Sequence, residues 1–132
     1  MPGQVLQRIL YVEDEPDIQA VVRLALENIG GYTLEICSSG QEAIARGEAF
    51  KPDMLLLDVM MPGLDGPTTL KELRKKPSLA DKPAVFMTAK VQPQEVAHYK
   101  EIGAVDVIVK PFDPTTLSDD VNRIYQKWLE SR

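Results

Sequence analysis

Five residues of this chain have the types and the setting to do chemistry: Glu13, Asp14, Asp58, Thr88 and Lys110. Each stands at or just past the end of a short apolar run. Glu13-Asp14-Glu15 follows RILYV, with Asp17 close behind; Asp58 follows DMLLL, Thr88 follows PAVFM, and Lys110-Pro111 follows DVIV. A carboxylate at the end of a buried strand is costly unless it is paired or coordinates a metal. Glu13, Asp14 and Asp58 cannot all stay ionised at close range without a cation. An all-oxygen donor set with positions left for water suits Mg²⁺, and Mn²⁺ takes the same ligands. A carboxylate beside a bound metal can act as a nucleophile toward a phosphoryl group. A nearby lysine supplies a compact positive charge, and a threonine hydroxyl can hydrogen-bond a phosphoryl oxygen. Phosphoryl transfer needs these parts, since it rests on positioning and charge stabilisation.

Each group also has a plainer role. Asp14 or Glu15 suits the positive N-terminus of a helix. Thr88 can cap a helix, and Lys110 can simply neutralise the acids. Taken singly, each plain role is the better reading. Their coincidence on one edge is what favours a site, so the elements that position them decide the matter.

Short apolar runs alternate with helical patterns along the chain. The expected strands are 8–12, 33–37, 53–57, 83–87 and 106–109. Several are continuously apolar and rich in Val, Ile and Leu, as suits parallel strands covered on both faces. Between them, Ile18, Val21, Val22, Ala25 and Ile29 form a helical stripe that starts near Pro16 and ends at Gly30-Gly31. Ser39 and Glu42 suggest a capping box for a helix to about residue 48. Pro67, Pro93 and Pro114 read as first-turn prolines of later helices. Leu117, Val121, Ile124 and Trp128 share one face of the last helix, with Tyr125 and Trp128 as packing residues. Alternating strands and helices predict an α/β domain with a parallel sheet. At this size the expectation is a doubly wound, flavodoxin-like sheet, five parallel strands in the order 2-1-3-4-5 with helices on both faces. Ligands then bind beyond the carboxyl ends of the strands, where the five residues gather.

Composition narrows the function. A length of 132 residues predicts one domain. A net charge of -5 argues against nucleic acid as a direct partner. No apolar run approaches the roughly 18 residues of a membrane span, and MPGQVLQRILYV shows no export signal, which points to the cytoplasm. Cys37 is the sole cysteine and reads as a small buried hydrophobe. The chain holds neither G-x-x-x-x-G-K-[ST] nor G-x-G-x-x-G, so a nucleotide is not expected as direct donor. His98, the sole histidine, lies in the polar stretch QEVAHYKEIG and is expected at the surface.

The motifs ILYVEDEP, LLLDVMMPGLDG, VFMTAK and VIVKPF, in this order and spacing, resemble those of the receiver domain of two-component response regulators. The resemblance runs from about residue 7 to 130. It implies that Asp58 is the phosphoacceptor, charged from a phosphohistidine of a sensor histidine kinase or phosphotransfer protein. It implies that Glu13 and Asp14 hold Mg²⁺ together with Asp58 and the backbone carbonyl of Met60. Thr88 matches the switch hydroxyl, Lys110 the lysine that contacts the phosphoryl group, and Pro111 a proline that usually follows a cis peptide. Two positions depart from the usual pattern. Glu13 stands where many members have Asp, and Val107 stands where an aromatic residue or histidine usually does.

The expected function is a phosphorylation-controlled switch, in which the face built from the fourth helix, fifth strand and fifth helix binds a downstream protein effector. The chain ends soon after the fifth helix, so a stand-alone receiver is expected, as a monomer or weak homodimer, and not a turnover enzyme on an external substrate. One rival is a hydrolase of the haloacid dehalogenase type. That class carries D-x-D-x-T after its first strand, where this chain has Glu13-Asp14-Glu15-Pro16. Another is a receiver-like module that binds partners without phosphorylation, against which the full set of acids, Thr88 and Lys110 counts.

Overall fold

The structure is a computed structural model that describes residues 5–132. Residues 1–4, the first part of the stretch read as lacking an export signal, lie outside the described residues. Strands β1 (Arg8–Val12), β2 (Thr33–Cys37), β3 (Met54–Asp58), β4 (Ala84–Thr88) and β5 (Asp106–Val109) form one parallel sheet. Its order is β2-β1-β3-β4-β5, as expected from the alternation of elements. The helices are α1 (Pro16–Arg23), α2 (Gly40–Phe50), α3 (Gly66–Leu73), α4 (Pro93–Glu101) and α5 (Leu117–Glu130).

The strands are apolar on both faces because each face has its own core. Side chains alternate across a strand, so Ile9 and Tyr11, Met54 and Leu56, and Val85 and Met87 enter one layer. Leu10 and Val12, Leu55 and Leu57, and Ala84 and Phe86 enter the other. The first layer is closed by Val22, Ala25 and Leu26 from α1 and its extension and by Leu117, Val121, Ile124 and Tyr125 of α5. The second is closed by Ala43 of α2, Leu70 and Leu73 of α3 and Tyr99 of α4. In register, Val12 lies beside Leu57, Asp58 beside Met87 and Thr88 beside Val109, so the carboxyl ends of four strands share one rim.

Local boundaries differ from expectation in instructive ways. β3 and β4 each start and end one residue later, which places Asp58 and Thr88 inside the strands. Asp53, just before β3, is tied to the start of β1: its carboxylate accepts the backbone N–H groups of Gln7 and Arg8, at 3.0 and 2.9 Å, and its own N–H bonds the Arg8 carbonyl at 2.7 Å. Pro114 is not in the first turn of α5. The Asp113 carboxylate accepts from the Thr115 N–H and hydroxyl, at 2.9 and 2.7 Å, and this local turn delays the helix to Leu117. α2 runs to Phe50, where Lys51 closes it in the left-handed region at φ 56°. Ser39 caps α2 as expected through the Glu42 N–H at 3.1 Å, but the Glu42 carboxylate reaches back to the N–H of Ser38, not Ser39. The stripe of α1 also drifts. A wide turn over Leu24–Ile29, with the Gly30 N–H bonded to the Ala25 carbonyl, shifts the helical phase. Leu26 takes the core position while Val21 and Ile29 face solvent.

One buried group is poorly served. Thr69 of α3 is fully buried and its hydroxyl has no hydrogen-bond partner among the described residues. A buried hydroxyl without a partner costs about 1–3 kcal/mol, whereas a methyl of the same shape costs nothing of that kind. Thr69→Val should therefore stabilise the fold by about 1 kcal/mol in urea denaturation. A destabilised variant would show that the hydroxyl is in fact satisfied.

Candidate functional site

At the shared rim, Glu13, Asp14 and Asp58 each offer a carboxylate oxygen within 4.8 Å of the others. β1 delivers Glu13 and Asp14 just past its end, and β3 carries Asp58 as its last residue. Glu13 is fully buried, Asp58 nearly so, and Asp14 is half-buried. Lys110, just past β5, spans the gap. Its ammonium donates to Asp58 Oδ1 at 2.8 Å and to Glu13 Oε1 at 3.1 Å. The Lys110–Pro111 peptide is cis.

The electrostatics follow from one cation set among three acids. Burial raises the pKa of Asp58 above the ordinary carboxylate range; Glu13 and Asp14 push the same way, and Lys110 opposes them without prevailing. For Lys110, burial works against the charged form, but the hydrogen bonds and charges of Asp58 and Glu13 outweigh it and raise its pKa. The lysine therefore stays charged and the acids compete for it.

Three hard-oxygen ligands with too little positive charge are a donor set that fits Mg²⁺ or Mn²⁺. Asp14→Ala removes one of them and should weaken Mg²⁺ binding by about tenfold or more, the scale reached even by loss of an outer-shell group. Without metal the same change should stabilise the fold by a few tenths to about 1 kcal/mol at neutral pH, because it removes like-charge crowding. The sign with pH is set by Asp58. Its pKa is raised on folding, so the folded chain holds that proton more tightly than the unfolded one. Ionised Asp58 therefore works against the fold at neutral pH and ceases to do so as pH falls through the raised value. The stabilisation by Asp14→Ala should shrink in mildly acid buffer, as thermal melts in EDTA at both pH values will read. An unchanged Mg²⁺ affinity would contradict the assignment.

Thr88 is buried at the end of β4, and its hydroxyl accepts the backbone N–H of Lys90 at 3.0 Å. It does not cap α4, whose N-terminus is closed by a capping box of Gln92 and Glu95. The loop after Asp58 returns to the strand it left. The Gly66 N–H bonds the Val59 carbonyl at 2.9 Å, and Asp65 caps α3 through the Thr68 N–H at 2.8 Å. This apposition requires glycine: a Cβ on Gly66 would collide with the Asp58 carbonyl oxygen and stand 3.0 Å from Val59 Cα.

The pattern of the response regulator receiver domain matches residues 9–122. The chain belongs to that family. It is 36% identical over 121 residues to the alkaline phosphatase synthesis transcriptional regulatory protein PhoP of Bacillus subtilis (strain 168), covering 92% of this chain and 49% of that protein. To the transcriptional regulatory protein ResD of the same organism it is 38% identical over 107 residues, covering 81% and 43%. The chain thus spans about half the length of the curated relatives it matches. Among solved structures it is similar to the chemotaxis protein CheY4 of Vibrio cholerae, at 29% identity and TM-score 0.84, covering 90% of this chain and 98% of that one. A putative response regulator from Chloroflexus aurantiacus J-10-fl gives 31% identity and TM-score 0.81, covering 92% and 98%.

In this receiver domain the remaining residues fall into place. Met60, two residues past Asp58, exposes its side chain to solvent. Val107 pairs with Phe86 across β4 and β5 and packs, half-buried, against the layer that holds the edge-to-face pair Phe86 and Tyr99. His98 is exposed. Cys37 is buried, and burial first, then Glu42, pushes its thiol up to about 12. No helix of the described residues is long and apolar enough to cross a membrane.

Sequence reasoning missed two residues of the site. Gln19 ties the loops after β1 and β2 together, donating to the Glu13 carbonyl at 2.5 Å and to Ser38 Oγ at 3.2 Å. Tyr11 lies fully buried in β1, and its hydroxyl donates to Glu13 Oε1 at 3.1 Å. Burial first, then the Glu13 charge, raises its pKa far above the ordinary value, so it remains a donor. A signal was available: a tyrosine inside a buried strand needs a partner for its hydroxyl, and the residue two positions on shares its face.

Proposed function

We propose that this receiver domain is a phosphorylation-controlled switch with Asp58 as its acceptor. The observation that carries the reading is Lys110, held between Asp58 and Glu13 at the rim where three carboxylates converge. An Asp58 carboxylate oxygen attacks phosphorus, the phosphorus–nitrogen bond of a phosphohistidine breaks, and the imidazole leaves with the electron pair and takes a proton. Sensor histidine kinases and phosphotransfer proteins present such a group. Glu13 and Asp14, with Asp58 and the Met60 carbonyl, would hold a divalent cation, which supplies charge neutralisation for the incoming phosphoryl oxygens. Lys110 gives up Asp58 Oδ1 and meets a phosphoryl oxygen while Glu13 keeps it oriented. The domain acts in the cytoplasm on a downstream protein effector and turns over no external substrate. The test is intact mass after incubation with acetyl phosphate and Mg²⁺. One added phosphoryl group is expected, and none at all would overturn the reading.

The new group carries about -1.5 to -2 charge at pH 7. To meet it, the Thr88 hydroxyl, which accepts the Lys90 N–H, turns its own O–H toward a phosphoryl oxygen and draws the segment leading into α4 with it. This routes the signal through Thr88, Lys90 and α4 to the face of α4, β5 and α5, with little role for Val107. Val107→Ala should cost roughly 1 kcal/mol of packing at this half-buried position and keep the switch. Thr88→Ala should lose most of the phosphorylation-dependent gain in partner affinity. The measurement is effector affinity with and without a phosphoryl mimic. A folded, phosphorylatable Val107→Ala that loses more than about tenfold of that gain, or ~1.4 kcal/mol, would sink the route.

A further inference from the structure

We propose that Tyr11 is a positioning residue for the acidic site, setting the Glu13 carboxylate through its buried hydroxyl. The proposal rests on the reading of Glu13, Asp14 and Asp58 as a divalent-cation site. Both oxygens of Glu13 are already engaged by the protein. Oε1 accepts from Tyr11 at 3.1 Å and from Lys110 at 3.1 Å, and Oε2 accepts the Glu15 N–H at 3.2 Å. Neither Tyr11 nor Glu13 exposes any surface to solvent. A long side chain with several rotatable bonds is thereby fixed in one place, away from bulk solvent.

The pairing follows from strand geometry. Residues two apart on a strand point to the same face, one step of about 6.6 Å along it. Tyr11 points into the layer beneath α1 and α5, among Ile9, Val22, Met87 and Ile108, and its ring carries the hydroxyl up toward the rim. Glu13 bends back to meet it. An aspartate at 13 is one methylene shorter and does not span the same distance without moving the loop. Tyrosine at 11 and glutamate at 13 are therefore a matched pair. The structure assigns Glu13 two tasks: it orients Lys110 toward Asp58, and it faces the cation position with a geometry that Tyr11 sets. Removing the hydroxyl leaves Oε1 to Lys110 alone and Oε2 to the Glu15 N–H, so the carboxylate is held by two donors in place of three, while the ring and most of the packing stay in place.

The test is Mg²⁺ titration by calorimetry on the whole chain, for Tyr11→Phe in two backgrounds. With Glu13 present, Tyr11→Phe should weaken Mg²⁺ binding by about five- to tenfold, within the scale for outer-shell groups. At saturating Mg²⁺ its phosphoryl uptake should approach that of wild type, the split expected of a residue that acts through another. In a Glu13→Asp background the same change should alter Mg²⁺ affinity by less than about twofold, because the shorter carboxylate no longer meets the hydroxyl. Equal losses in both backgrounds, or no loss with Glu13 present, would overturn the proposal. 3-Fluorotyrosine labelling gives a measurement that needs no variant of Tyr11 or Glu13. Of the four tyrosines, Tyr11 alone should shift its fluorine resonance on adding Mg²⁺, with assignment by Tyr32→Phe, Tyr99→Phe and Tyr125→Phe; an unmoved Tyr11 signal at saturation counts against the proposal. If wild type binds no Mg²⁺, the cation site itself falls. If wild type binds and Asp14→Ala weakens it while Tyr11→Phe is silent, this proposal alone falls.

Discussion

Asp58→Asn should take up no phosphoryl group under conditions that saturate the wild-type chain with acetyl phosphate and Mg²⁺. The amide keeps the shape of the carboxylate and loses the nucleophilic charge. The loss should not be a folding effect. Lys110 keeps Glu13 as its partner, so no ammonium is left unpaired, and one of three crowded acids disappears. Stability should stay within about 1 kcal/mol of wild type, as for substitutions that leave neither a cavity nor an unpaired charge. Intact mass reads the first outcome and a urea melt the second. A variant that labels as well as wild type places the acceptor elsewhere. A variant that fails to fold shows that the Asp58–Lys110 pair matters more to the fold than its competition with Glu13 implies.

Gly66→Ala should be the most damaging of the small substitutions proposed here. Helix propensity alone would favour alanine by up to about 1 kcal/mol. Against this, the added methyl meets backbone and no movable side chain: the Asp58 carbonyl oxygen, the Asp58 carbonyl carbon at 3.1 Å and Val59 Cα at 3.0 Å. Overpacking of this kind typically costs 1–3 kcal/mol, and rigid backbone places it at the upper end, about 3 kcal/mol. The residue that must yield is Asp58, the proposed acceptor, so the variant should also label more slowly at temperatures where it is still folded. Denaturation midpoint and labelling rate give the two readouts. Wild-type values for both would mean that the loop after Asp58 has slack that its hydrogen bonds do not suggest.

Sheet order and the rim of the site were legible because each rests on a strong pattern. Continuously apolar runs such as MLLL admit burial on both faces, and alternation with helices admits few topologies. Asp58 and Lys110 stood out as charges next to such runs. What escaped reading was decided by side chains bonding to distant or local backbone. Asp53 serves the start of β1 with its carboxylate and precedes β3, and Asp113 builds a turn that strips Pro114 of its helical role. The wide turn after α1 changed which of Leu26 and Ile29 faces inward, and no periodic pattern carries that information. Tyr11 was hidden for another reason: inside RILYV it counted as one more apolar residue, although its hydroxyl meets Glu13.

Cys37 has a practical consequence. Burial pushes the Cys37 thiol up, so it stays protonated at neutral pH, and no surface of it is open to a reagent. Maleimide dyes should therefore ignore the natural cysteine. A single new thiol on the exposed side of α4, for example His98→Cys, becomes a selective attachment point without any need to delete Cys37. One fluorophore placed there would test the proposed movement of α4 in real time, on the otherwise unaltered chain.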